Sequence, residues 1–234
     1  MRALLIGGLV LAMAFVAGTE AFVPSFLAER VAGGLKEALG DGTVRVQLAA
    51  FPALRLLAGD VDRMTVTVEG LVVDGLALDS LRLEAANVHV DLPGLLRGRD
   101  WRPSYRDEVT VEAVITENAL TELVRARLPA QVDVAVRLDA GGVELSGRTE
   151  VLGLPMDVNV RGRVAAEQGG TRLVFVPEQI VVGGQVLADW VAQGIRQMYT
   201  AAVDLRGAPV PLVVEEVVHE PGRLVIAGRP FRDG

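Results

Sequence analysis

The sequence predicts an α+β protein built on a long, strongly curved antiparallel sheet wrapped around helices. Three observations carry this prediction. Residues 61–92, VDRMTVTVEGLVVDGLALDSLRLEAANVHVDL, hold a nearly continuous strand signal. Later strand signals follow one another across short glycine-rich turns with no helix-length insert, the pattern of an antiparallel meander rather than a doubly wound parallel sheet. Only three segments after the N-terminal apolar run carry helical spacing.

Within residues 61–92, Val66 and Val68 alternate with Thr65, Thr67 and Glu69. Leu76 and Leu78 flank Ala77, Leu81, Leu83 and Ala85 alternate with Arg82 and Glu84, and Val88, Val90 and Leu92 alternate with His89 and Asp91. Period two with β-branched residues reads as strand with one face buried. The apolar parity flips at Asp79-Ser80 and again at Ala85-Ala86, so an unbroken pleat would turn half of the leucines into water. A bulge or bend at each flip restores a single apolar face. A long curved strand with an apolar concave side has to wrap around something, and a helix and a lipid chain both fit.

In chain order, Pro24 opens a helix over residues 25–39, with Leu27, Val31, Leu35 and Leu39 at spacing four and Glu29, Arg30, Lys36 and Glu37 opposite. Its stripe needs a cover, either the sheet or a membrane. Residues 43–48 alternate as a short strand that Phe51-Pro52 breaks. Strand signal resumes at 109–115, and Thr116 caps a helix over 117–128 with Leu120, Leu123, Val124 and Leu128 on one face. Strands follow at 132–138, 143–151, 156–164 and 172–182. Gly183-Gly184 opens a last helix over 185–203, striped by Leu187, Trp190, Val191, Ile195, Met198 and Ala202, before strands at 210–218 and 223–226. Gly70, Gly75, Gly147, Gly162 and Gly228 lie in or beside strands, where glycine marks bends or close backbone approach. No linker divides residues 24–234, which read as one domain behind residues 1–23.

Residues 3–18, ALLIGGLVLAMAFVAG, form an apolar run behind Arg2. As helix it is about 24 Å long against a bilayer core of about 30 Å. It reads as a signal-peptide core cleaved after Gly18 or Ala21, or as a retained anchor extended through Val23; a buried helix of a cytosolic protein is the third reading. The first two place the remainder outside the cytoplasm, anchored at the outer face of the cytoplasmic membrane or secreted.

Half of the 234 residues are hydrophobic and only 4% aromatic, which suits an aliphatic lining better than a stacking site. The net charge of −7 argues against nucleic acid, which needs a basic surplus on one face. The absence of cysteine removes thiol catalysis, disulfides and thiolate metal sites. Lys36 is the sole lysine, and none of Ser25, Ser80, Ser104 and Ser146 lies in a nucleophile elbow. His89 and His219 lack metal-ligand spacing and read as outward strand residues. The residues call for no enzyme, metal or cofactor. Against this acidic background, residues 97–106 gather Arg97, Arg99, Arg102 and Arg106 with Trp101 and Tyr105. Guanidinium forks match phosphate, and Trp and Tyr favour the headgroup layer; a solvated loop paired to Asp100, Asp107 and Glu108 is the plainer alternative.

The segment FPALRLLAGDVDRMTVTVEGLVVDGLALDSLRLEAANVHVDL, the helix opening ITENALTELVRARLP, the meander LDAGGVELSGRTEVLGLPMDVNVRGRV and the closing PLVVEEVVHEPGRLVIAGR resemble the LmeA-like phospholipid-binding family of bacteria. The likeness covers most of the chain after residue 20. It implies a tubular lipid-binding (TULIP, BPI-like) half-barrel that binds phospholipid in the cell envelope without catalysis. It brings no binding residues with it. By pattern, Leu27, Val31, Leu35, Leu76, Leu78, Leu81 and Leu83 would line an acyl groove, together with Val88, Val90, Leu187, Trp190, Val191 and Met198. Arg97, Arg99, Trp101, Arg102, Tyr105 and Arg106 would meet headgroups at a membrane surface. A single half-length tube has an open end at which a second copy would dock, a homodimer that no motif specifies. The alternative is an envelope structural or interaction protein in which the same sheet is filled by its own side chains.

Overall fold

A computed structural model describes residues 25, 27–29, 31–33, 42–91, 104–105, 107–128, 133–151, 154–187, 202–206, 208 and 212–231. These residues form two compact units, Met1–Val68 with Arg82–Thr110, and Glu69–Leu81 with Val111–Gly234. Every pairing whose register is described runs antiparallel.

In the first unit, Ser25, Leu27–Glu29 and Val31–Gly33 are helical, and Leu27 and Val31 are buried as the spacing of four predicts. Strands β1 (Thr43–Ala49), β2 (Asp60–Glu69) and β5 (Ser80–His89) lie side by side in that order. The short β6 (Ser104–Tyr105) pairs with β5. Between β1 and β2, Pro52 leads into a 3-10 helix, Ala53–Ala58, which Gly59 ends in the left-handed conformation. In β2, Met64, Val66 and Val68 are buried and their neighbours are not, the alternation expected of a half-wet strand. The parity flip at Ala85-Ala86 has a local cause: Asn87 adopts φ 49, and burial passes from Ala85 to Val88. Asn tolerates this left-handed conformation better than other non-glycine residues.

The other flip is resolved differently from the predicted bend. Residues 70–79 leave the long strands, and β3 (Val72–Val73) and β4 (Leu76–Ala77) form a hairpin closed by Asp74-Gly75. Asp74 at φ 50 and Gly75 at φ 79 are both left-handed, as a type I′ turn requires.

The rest of the second unit holds two sheets. One runs β7 (Val109–Thr116), β15 (Arg223–Pro230), β14 (Leu212–Glu220). The other runs β12 (Gln185–Val186), β11 (Arg172–Val182), β10 (Leu154–Glu167), β9 (Gly142–Val151), β8 (Asp133–Asp139), with β13 (Ala202–Asp204) also pairing β11. Two bulges bend these strands. Glu178 is the extra residue between Pro177 and Gln179 opposite Arg161-Gly162, and Glu215 is the extra residue between Val214 and Glu216 opposite Ala227-Gly228. A glycine faces each bulge because the bulged strand comes too close for a side chain. A Cβ on Gly162 would stand 2.2 Å from the Val176 carbonyl oxygen, and one on Gly228 would stand 2.2 Å from that of Val213. The first bulge also houses Pro177, which a regular ladder would not accept.

Helix α1 (Glu117–Arg127) starts where Thr116 predicted, its hydroxyl accepting from the Ala119 N–H at 3.3 Å. The helix closes the free edge of β8. Val136 N–H donates to Thr121 Oγ1 (3.1 Å), Leu138 N–H donates to Glu117 Oε1 (2.9 Å), and Arg125 Nε donates to the Val134 carbonyl (3.1 Å). Side chains thus satisfy an edge that would otherwise offer unpaired backbone groups. The solvent face of the same sheet carries cross-strand ion pairs, Arg148–Asp157, Arg161–Asp139 and Arg163–Glu178, which solvent screens so that they add little to stability.

The predicted helix over residues 185–203 is corrected at both ends. Gly183-Gly184, at φ 57 and 79, is the two-residue turn of a hairpin between Val182 and Gln185. Gln185–Val186 is strand, Leu187 N–H continues to the Ile180 carbonyl, and Ala202–Asp204 is strand against β11. Residues 188–201 lie outside the described residues.

Candidate functional site

The interior of the second unit contains a narrow aliphatic seam. Its larger part, about 90 Å³, has Leu120, Leu123 and Val124 of α1 on one side. Val136, Val143, Leu145, Val164, Val174 and Phe175 of the larger sheet line the other. A smaller void of about 20 Å³ is lined by aliphatic side chains alone, among them Leu71, Val73, Leu78, Leu81, Ala113 and Ile226. Leu76, Ile115, Leu173 and Val203 border both, so one wall of four side chains separates them. All four are buried.

The alternation of each strand makes this interior dry, since the ion pairs stand on the opposite face of the pleat. Among the described residues the one charged side chain on the lining is Arg127. It falls on the apolar stripe of its helix, four residues after Leu123 and three after Val124. Its stem lies along the seam and its head reaches out, the behaviour of an arginine at an apolar rim. Nη1 donates to the Ala202 carbonyl (3.0 Å), and Nη2 donates to the carbonyl and carboxylate of Asp74, both at 3.2 Å. One guanidinium therefore ties α1, the tip of the β3–β4 hairpin and β13 together at the mouth.

His219 lies behind this wall. Its Nε2 accepts from the Val164 N–H at 3.1 Å, where β10 has run past the end of its pairing with β9. Burial, and then the charge of Arg163, push the imidazole below its ordinary value of 6.5. The neutral ring is the form that accepts, so the folded state binds fewer protons than the unfolded chain. The stabilisation is complete above about pH 6.5 and is lost as pH falls through the depressed folded value. Thermal unfolding followed from pH 8 to pH 4 is expected to show His219→Gln losing less stability below pH 6.5 than the native chain does. A native profile that is flat across that window would refute the linkage. His89, by contrast, is exposed, and its Nδ1 lies 3.1 Å from Asp60 Oδ1.

The thirteen residues predicted to line one groove are distributed as follows. Leu76, Leu78 and Leu81 border the seam. Leu27, Val31, Val88 and Val90 are buried in the first unit, where Leu83 is half-buried. Leu187 follows the β12 hairpin and is half-buried; Leu35, Trp190, Val191 and Met198 lie outside the described residues. Of the headgroup set, Tyr105 is known by its backbone, paired with Val88 in β6, and Arg97, Arg99, Trp101, Arg102 and Arg106 lie outside. Pattern reading missed Arg127. The signal was present in the helical spacing Leu120, Leu123, Val124, Arg127, which places a cation at the end of an apolar stripe.

The seam therefore presents an apolar lining with one guanidinium at its rim. The chain belongs to the LmeA-like phospholipid-binding family, whose model matches residues 18–229 and so spans both units. No curated protein and no solved structure matches it.

Proposed function

We propose that the protein binds phospholipid without turnover in the bacterial cell envelope, with acyl methylenes in the aliphatic seam and the phosphate at Arg127. In this reading the fold is of the tubular lipid-binding half-barrel type, the bent sheet wrapping helices. Residues 1–23 hold the chain at, or deliver it beyond, the outer face of the cytoplasmic membrane, and residues 97–106 add membrane contact. Family membership supports the ligand class. The observation that carries the site is the apolar, mostly aliphatic lining that ends at Arg127, the one cation on it among the described residues. Leaving a bilayer costs a sixteen-carbon chain roughly 12 kcal/mol at ~0.8 per methylene, so a carrier has to return this from surface that is as dry and aliphatic as the seam.

Arg127→Gln tests the headgroup assignment. A hydrogen bond to a charged partner is worth about 1.5–3 kcal/mol, so the substitution is expected to weaken phosphatidylglycerol binding about tenfold or more. Binding of diacylglycerol, which lacks the phosphate, stays the same. Equal losses for both lipids would make Arg127 a strap that closes the seam and nothing more.

One observation favours a second reading. The void of about 90 Å³ is smaller than the ~150 Å³ apolar cavity that accepts benzene, so an acyl chain enters only by moving walls. If the walls do not move, the core is filled and the chain is a structural or interaction protein of the envelope.

A further inference from the structure

A second apolar surface lies in the first unit, on the 3-10 helix between β1 and β2. Residues three apart eclipse in a 3-10 helix, so Leu54 and Leu57 project as one ridge, with Phe51 just ahead of them. Phe51 is 79% exposed, Leu57 58% and Leu54 49%, whereas Leu56 between them is 1% exposed. The segment buries one leucine in the core and holds the other two in solvent.

Its scaffold is fixed. The Asp62 carboxylate accepts from the Phe51 N–H at 2.8 Å and from Arg55 at 2.7 Å. Gly59, at φ 85, donates to the Leu56 carbonyl and accepts from the Val90 N–H at 2.8 Å. A Cβ on Gly59 would stand 2.1 Å from the Val90 carbonyl oxygen. The three apolar side chains are thus presented from a backbone that is tied down at both ends.

We infer that the Phe51–Leu54–Leu57 ridge is a docking surface for a phospholipid bilayer, inserted into the interfacial layer. The area of the ridge selects this occupant. Three side chains at these exposures leave a few hundred Å² of apolar surface, the size of a functional patch but well short of the ~800 Å² per partner of a stable protein interface. Shallow insertion into the headgroup and acyl boundary has no such requirement. Charge does not oppose this occupant. Within the ridge segment, residues 51–57, the one charged side chain is Arg55, and the Asp62 carboxylate pairs with it at 2.7 Å, so the ridge meets anionic headgroups close to neutral. The ligand class of the family is also a bilayer component. The docking surface does not depend on the acyl seam, which lies in the other unit.

The chain has no cysteine, so Leu54→Cys and Leu57→Cys each accept one environment-sensitive fluorophore on the full-length protein, with Gln179→Cys on exposed β11 as control. The probe is a vesicle of phosphatidylcholine and phosphatidylglycerol carrying acyl-chain spin labels. Both ridge positions are expected to shift to the blue and to be quenched at least about twofold by the labelled vesicles, and the control is expected to stay unchanged. Three results would overturn the inference. The first is ridge emission already blue-shifted without vesicles, which means that residues 3–18 or a second copy cover the ridge. The second is a vesicle-bound protein with an unquenched ridge, which places membrane contact elsewhere. The third is a protein that stays off the vesicles.

Discussion

Ala202→Phe is expected to abolish lipid uptake while leaving the fold as stable as before or slightly more so. Ala202 is half-buried on β13 and borders the larger part of the seam. A phenyl ring there fills void that an acyl chain would otherwise use, and cavity filling commonly adds about 0.5–2 kcal/mol to stability. Excluding even about four methylenes forgoes ~3 kcal/mol of transfer energy, on the order of a hundredfold in Kd. Displacement of a fluorescent fatty acid and thermal unfolding, measured on the same preparation, separate the two effects. Lost binding with preserved stability places the ligand in the seam; undiminished binding places it somewhere else.

Gly162→Ala is expected to be the most damaging single-methyl change in the second unit. Its Cβ would meet the Val176 carbonyl oxygen at 2.2 Å, Pro177 Cα at 2.8 Å and Phe175 Cζ at 2.9 Å. Two of these are backbone atoms of the bulge that Glu178 creates, so relief requires β10 and β11 to separate. Overpacking of this kind costs roughly 3 kcal/mol, a Tm lower by about 10 °C for a chain of this length. Gly169→Ala is the matched control. Gly169 sits in the adjoining turn at φ 67 with nothing near its Cβ position, so only the left-handed conformation is penalised, at about 1 kcal/mol. Urea unfolding of the two variants should rank them clearly, and equal destabilisation would show that close strand approach at Gly162 is unimportant.

Much of this architecture was legible because it depends on local signals. Strand β11 has the predicted bounds of 172–182, since its alternation is interrupted only by a bulge that a proline advertises. Thr116 announced α1 through its cap, with the apolar spacing of Leu120, Leu123 and Val124 behind it. Of the five glycines singled out in or beside strands, Gly147, Gly162 and Gly228 stand where a Cβ would meet backbone, whereas Gly70 and Gly75 have no backbone that close and adopt positive φ.

The misreadings share a cause: a turn signal was overruled by the periodicity around it. Asp74-Gly75 is a strong hairpin dipeptide, but Leu76 and Leu78 flanking Ala77 kept the alternation running and the stretch read as continuous strand signal. Gly183-Gly184 also closes a hairpin, yet the spacing-four residues beyond it suggested that a helix began there. Period four over a short span does not exclude strand when the residues are Val and Leu, which suit both. Leu76 and Val88 share an apolar pattern in sequence but fall in different units, and no local periodicity reports such a long-range partition. The exposed ridge was hidden because Leu54, Leu56 and Leu57 separate into buried and exposed only under 3-10 geometry.

Native mass spectrometry with lipid extraction decides whether the protein carries lipid. The chain would be expressed into an envelope compartment and released gently from the membrane. One phospholipid mass per chain is expected, lost in Ala202→Phe. A folded, monodisperse protein that stays empty even after incubation with phospholipid vesicles would contradict it and leave the filled-core envelope protein as the reading that stands.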